Sequence, residues 1–287
     1  MRKYRLILLP LILFSLIVLT TSCTQGASDS VSVSTLSAVA EDETQAAVIS
    51  DMIDNELDTY VSDSTLSIYK DSVVSHAVTR VTAGPVITID KPDTLYPKTF
   101  TLDYGSAGTT VANGNKLKGK IIVVVNKKMK LINSSRSVTL VGFSSNGTVY
   151  AGSKTVTYKG INASLFSYWN VSNKASITRV DGTSVVWNSE RVREWVGNNN
   201  TPLVYSDDIY ALSGSSTGTD SKGNAYNLVI RNNYPLVIWG HYPFYLAGLT
   251  SLSINNGTMV IDYGDGTVDK KTTTLVNGES GDYTFLY

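Results

Sequence analysis

The chain has one cysteine, Cys23, in 287 residues. An intramolecular disulfide is therefore excluded, and stability must come from burial and hydrogen bonding. It has two histidines, His76 and His241. A structural zinc site wants four nitrogen or sulfur ligands, so no such site is expected, and no cofactor motif is present. No sign of charge dominates, since 24 basic residues balance 24 acidic ones. Nucleic acid and anionic lipid both reward net positive charge, so neither is expected as a partner. The apolar run Leu6–Leu19, broken only by Pro10 and Ser15, stops short of the roughly 20 residues a membrane span needs.

That short run follows Arg2, Lys3 and Arg5 and precedes Thr20-Thr21-Ser22-Cys23. A basic start, a short apolar stretch and small residues describe a secretory signal. Leu19-Thr20-Thr21-Ser22-Cys23 resembles a bacterial lipobox, with a looser position three residues before the cysteine than the commonest leucine. A lone thiol in an exported chain needs a dedicated use, and acylation supplies one. Residues 1–22 are thus expected to be removed and Cys23 to carry lipid, leaving a mature charge of −3.

Residues 23–37 are mostly small and polar and read as a lipidated tether. In residues 38–61, Ala46, Ile49, Ile53, Leu57 and Tyr60 recur at helical spacing. Glu41, Asp42 and Glu43 sit where a helix dipole favours negative charge. Asp51, Asp54 and Asp58 fall on the polar side, which implies an amphipathic helix with an acidic outer face. Residues 62–85 form a linker. From residue 86 to 287 the helical period vanishes, and Val, Ile, Thr and Tyr alternate with turn signals such as Asn146-Gly147, Asp181-Gly182, Asn256-Gly257 and Asp265-Gly266. Such turns close antiparallel hairpins. The expected fold is mainly β: a large, twisted antiparallel meander, as a sandwich or half-open barrel, with one N-terminal amphipathic helix.

Within residues 184–196, one parity carries Val185, Trp187, Arg191, Arg193 and Trp195, and the other Val186, Glu190, Val192, Glu194 and Val196. Ile121-Ile122-Val123-Val124-Val125 is apolar throughout, as expected of a strand covered on both faces. The helix is the candidate cover. Thr101-Leu102-Asp103-Tyr104-Gly105 returns as Val260-Ile261-Asp262-Tyr263-Gly264, which suggests matching strand-to-turn corners near the two ends of one sheet. The order of Asp103-Tyr104-Gly105, Gly119-Lys120-Ile121-Ile122-Val123, Lys154-Thr155-Val156-Thr157-Tyr158, Val185–Trp195, Ile209–Gly218 and Ile261-Asp262-Tyr263-Gly264-Asp265-Gly266 resembles a group of β-rich cell-envelope lipoproteins from Bacteroidetes. The resemblance covers most of residues 86–280. It implies lineage, architecture and an outer-membrane address, not chemistry.

No constellation argues for catalysis. Ser216 lies in Gly214-Ser215-Ser216-Thr217-Gly218, but a hydrolase elbow needs a helix after the serine, and a strand follows here. Asp262, Asp265 and Asp269 are a weak calcium candidate whose plainer role is in a turn. Tyr234, Trp239, Tyr242, Phe244 and Tyr245 make the densest aromatic patch, with Pro235 and Pro243 disfavouring a regular central strand. Trp187, Arg191, Arg193 and Trp195 form a second candidate ligand surface through cation–π stacking. The expected function is a membrane-anchored envelope protein that binds or scaffolds a glycan or an apolar ligand. The rivals are a glycan hydrolase using two carboxylates, which need no sequence motif, and a lipid carrier with an apolar cavity under the helix.

Overall fold

Helix α1 (Val33–Tyr60) starts at Ser32, whose hydroxyl accepts from the backbone N–H of Thr35. The computed structural model describes residues 31–61, 84–91, 96–111, 113–197, 207–240, 242, 244–276 and 279–283. The expected signal segment 1–22, Cys23 and most of the expected tether and of the 62–85 linker, with His76 and His241, lie outside these residues. The helix begins five residues earlier than its apolar period implies, because the Ser32 cap sets the start and Leu36 is fully buried.

Among the described residues, fifteen antiparallel strands follow in one sheet. They are β1 (Val86–Ile89), β2 (Lys98–Asp103), β3 (Thr109–Thr110), β4 (Lys116–Val125), β5 (Ser135–Ser145), β6 (Thr148–Ile161), β7 (Ser167–Thr178) and β8 (Ser184–Gly197), then β9 (Ile209–Thr219), β10 (Ala225–Ile230), β11 (Leu236–Trp239), β12 (Tyr245–Ile254), β13 (Gly257–Asp265), β14 (Thr272–Val276) and β15 (Glu279–Tyr283). The order is a meander from β1 to β15. Strands β10 and β11 share the lane between β9 and β12, and β3 extends the lane of β2 along β4. Strand β7 is paired along its whole length with both neighbours. The tight turn Asn146-Gly147 takes positive φ at both residues, 50° and 90°, as the twist of the flanking strands demands.

The helix shows that the sheet curls. Tyr104, next to β2, hydrogen-bonds Glu56 of α1, and Tyr263 of β13 hydrogen-bonds Thr44. Nine lanes of a flat sheet would separate these tyrosines by roughly 43 Å, whereas a helix is about 10–12 Å across. The sheet therefore wraps α1 as an open half-barrel. Among the described residues, β1 pairs only with β2 and β15 only with β14. Asp103 ends β2, whereas Asp262 lies within β13, paired with Leu249 and Thr273, yet the two segments share a local geometry. Each aspartate Oδ1 accepts from the N–H of the glycine two residues on, at 2.9 Å, and each adjacent tyrosine points to the helix.

Two expectations are corrected here. The acidic face of α1 is not outward. Asp51 and Asp54 are buried, and Asp58 is shielded within a pair of arginines. The reason is a basic seam on the inner sheet face, described below. Strand β4 is not covered on both faces either. Ile121, Val123 and Val125 are fully buried against the helix side, while Val124 is 39% exposed on the outer one. Its β-branched outer residues suit a pleated surface without being core.

Candidate functional site

The interface between helix and sheet is polar along one stripe. Glu43, Asp51, Asp54 and Asp58 share a face of α1 and meet cations from β5, β6 and β8. Arg191 Nη2 donates to Glu43 Oε1 at 3.1 Å, and Trp187 Nε1 and Ser216 Oγ donate to the same carboxylate. Lys154 Nζ lies 2.9 Å from Asp54 Oδ2 and donates to Ser50. Tyr245 Oη donates to Asp51 Oδ2 at 2.7 Å. Arg136 and Arg193 each donate to one oxygen of Asp58, at 2.7 and 2.6 Å. Burial raises the pKa of Glu43 and Asp51 despite Arg191. Burial also opposes ionisation of Asp58, but Arg193 and Arg136 outweigh it and hold that carboxyl below its usual range.

Glu56 has no such cation. Tyr104 Oη donates to its Oε2 at 2.5 Å, and burial pushes its pKa up from 4.5 to about 7. Between those values the folded chain holds a proton that the unfolded chain has lost. Stability should therefore fall as pH rises through this window, by about 3 kcal/mol from this group, and stay level above it. Glu56→Gln should remove that component. Urea melts at pH 5 and pH 8 would show it as a smaller loss of stability in the variant, and equal losses would refute it.

At the C-terminal end of α1 the helix stops short of filling the half-barrel. A cavity of about 240 Å³ opens there, lined by residues of α1, the β4–β5 loop and strands β5 to β9. Its walls are aromatic: Tyr158, Trp169, Trp195 and Tyr210. Tyr158 and Trp169 are tilted together at 5.5 Å, and Trp169 meets Tyr210 edge-on at 6.4 Å. Both indoles are part-exposed. The floor is charged, formed by Asp58, Arg136 and Asp208. Tyr210 Oη lies 3.0 Å from Asp208 Oδ2 and 3.3 Å from Asp58 Oδ2, and its single proton serves one of them at a time. Arg193 lies over the Tyr210 ring at 3.4 Å. Burial raises the pKa of Asp208 to about 6, against the lowering by Tyr210. Hydrogen bonding with Trp195 lowers it as well.

The residues singled out from sequence divide. Trp195 lines the cavity, and Arg193 braces it from behind. Trp187 and Arg191 are buried in the helix interface. Phe244 and Tyr245 are also buried, Tyr245 against Asp51. Tyr242 meets Trp239 edge-on and Phe244 at a tilt, each at 5.4 Å. Trp239 pairs with Ile209, one residue out of phase with the inward Tyr210, so it takes the opposite sheet face. Tyr234 is 56% exposed and stands apart. Asp262, Asp265 and Asp269 each accept a backbone N–H two residues ahead, closing their own turns. Ser216 is mid-strand in β9 and buried on Glu43. Tyr158, Trp169, Asp208 and Tyr210 were not anticipated.

The fold and cavity define a class: an antiparallel half-barrel wrapped on a helix, with an aromatic pocket at one mouth. Comparison with known protein families, curated proteins and solved structures finds no match to the chain.

Proposed function

We propose that this chain is a lipid-anchored envelope protein that binds a glycan in the aromatic cavity at the C-terminal end of α1, without catalysis. The observation that carries the reading is the pair of part-exposed indoles, Trp169 and Trp195, walling an open cavity with a charged floor. Sugar rings present apolar C–H faces to aromatic rings and hydroxyls to charged groups. A purely apolar ligand would strip water from Asp58, Arg136 and Asp208 with nothing in return. The carrier reading needs an apolar space beneath the helix, and the helix–sheet contact is instead occupied by hydrogen-bonded ion pairs. A second reading rests on Asp58 and Asp208, two carboxylates with pKa values displaced in opposite directions around one hydroxyl, which is an acid–base pattern. Asp58 already accepts an arginine on each oxygen, which suits a structural anion better than a base.

The anchor and the pocket are tested together. Cys23→Ala should abolish incorporation of labelled palmitate. On a glycan array and then by calorimetry, Trp169→Ala and Trp195→Ala should each weaken binding about tenfold, while Trp239→Ala leaves it unchanged. The opposite pattern would move the site to the Trp239 cluster. Asp208→Asn distinguishes the second reading: retained glycan binding with lost bond cleavage would make the protein a hydrolase.

A further inference from the structure

Among the described residues, four of the six most exposed aliphatic side chains lie on two neighbouring turns beside the cavity mouth: Leu131 and Ile132 in the β4–β5 loop, and Ile161 and Leu165 at the β6–β7 turn, exposed by 51%, 62%, 64% and 83%. Scattered exposed aliphatics are ordinary, but a cluster is not. The turns are joined. Asn133 N–H donates to the Tyr158 carbonyl at 2.8 Å, and the Ile132 side chain lies over Gly160. Leu165 holds φ at 66°, a left-handed conformation that glycine or asparagine takes at lower cost. A bulky apolar residue is thus kept at a strained, solvent-facing tip.

The same turns are basic. Lys127, Lys128 and Lys130 share the β4–β5 loop with Leu131 and Ile132, and Lys159 Nζ reaches Asn133 Oδ1 at 2.9 Å. Two nearby acids among the described residues are engaged: Glu194 accepts from Asn162, and Asp58 is held by two arginines. We infer that these two turns form a membrane-docking tip, in which the four aliphatic side chains enter the lipid interface while the lysines meet anionic phospholipid headgroups. Apolar insertion ringed by Lys is how a protein rests on a charged bilayer. A second copy of the chain is a poor occupant, because it would bring four lysines against four lysines.

The tip lies at the C-terminal end of α1, beside the cavity. The helix has 28 residues and is about 42 Å long. Ten residues from Cys23 to Val33 reach at most about 35 Å. Tip and lipid meet one membrane only if the helix leans over the surface. This inference stands independently of the glycan reading, although a docked tip would set the cavity mouth beside the headgroups.

The test uses unlipidated chain from residue 24, since residues 31–287 form one compact unit. It is sedimented with phosphatidylcholine vesicles with and without phosphatidylglycerol. Binding is expected only with the anionic lipid and should fall with salt. Lys127→Ala/Lys128→Ala should lower affinity about fivefold per lysine. Ile132→Asp/Leu165→Asp should abolish binding with a thermal melt no lower than that of the wild type, because both side chains are exposed and aspartate accepts the left-handed conformation of residue 165 at lower cost. No binding of the wild type to anionic vesicles, or full binding of the aspartate variant, overturns the inference.

Discussion

Lys154→Met is expected to destabilise the protein by about 3–5 kcal/mol, and Lys154→Met/Asp54→Leu to recover most of that loss. Both ends of the pair are buried, with side chains 1% and 0% exposed. Removing the ammonium leaves Asp54 charged in the interior without a counterion, and a broken buried pair costs about this much. It also removes the donor to the Ser50 carbonyl and hydroxyl. Replacing both members with apolar groups of similar size eliminates the stranded charge, and such replacements are often neutral. Urea melts of the two single variants and the double variant complete the cycle. Equal destabilisation of single and double variants would mean that Lys154 acts by packing and that the ion pair contributes nothing.

The interior ion pairs explain why one part of the fold was legible in sequence and another was not. Strand β8 announces its sides, because Val185, Trp187, Arg191 and Arg193 share a parity and all four prove to be buried. The shared local geometry at Asp103 and Asp262 also follows from a short recurring pattern. The acidic stripe of α1 reads equally well as a wet face or as one side of a buried ion-pair seam. Deciding between them needs Arg136, Lys154, Arg191 and Arg193 on three strands remote in sequence. A clue did exist: two arginines on the same parity as Val185 and Trp187 point inward and require carboxylates there. The cavity had no comparable signal. Tyr158, Trp169, Trp195 and Tyr210 come from four strands, and only the curl of the sheet past the end of α1 assembles them.

The helix is the element on which the sheet's inner face depends, so its removal should have the largest effect of all. Deleting residues 31–61 is expected to abolish cooperative folding. Without α1, Arg136, Lys154, Arg191 and Arg193 keep their charges on a concave face that has lost Glu43, Asp51, Asp54 and Asp58. The same deletion uncovers Phe100, Leu117, Ile121 and Trp187, which are fully buried in the intact chain. An open sheet with that surface would associate through its edges. A synthetic peptide of residues 31–61 added in trans should restore a cooperative melt followed by circular dichroism. The same peptide carrying Glu43→Gln, Asp51→Asn, Asp54→Asn and Asp58→Asn should fail, although its apolar face is intact. Rescue by both peptides would show that burial alone seats the helix. A cooperative melt of the deletion variant without any peptide would show that the sheet does not need it. The expected result, rescue by the acidic peptide only, follows because each carboxylate that leaves water here is met by a cation or hydroxyl already fixed on the sheet, so specificity resides in the charges and affinity in the apolar face.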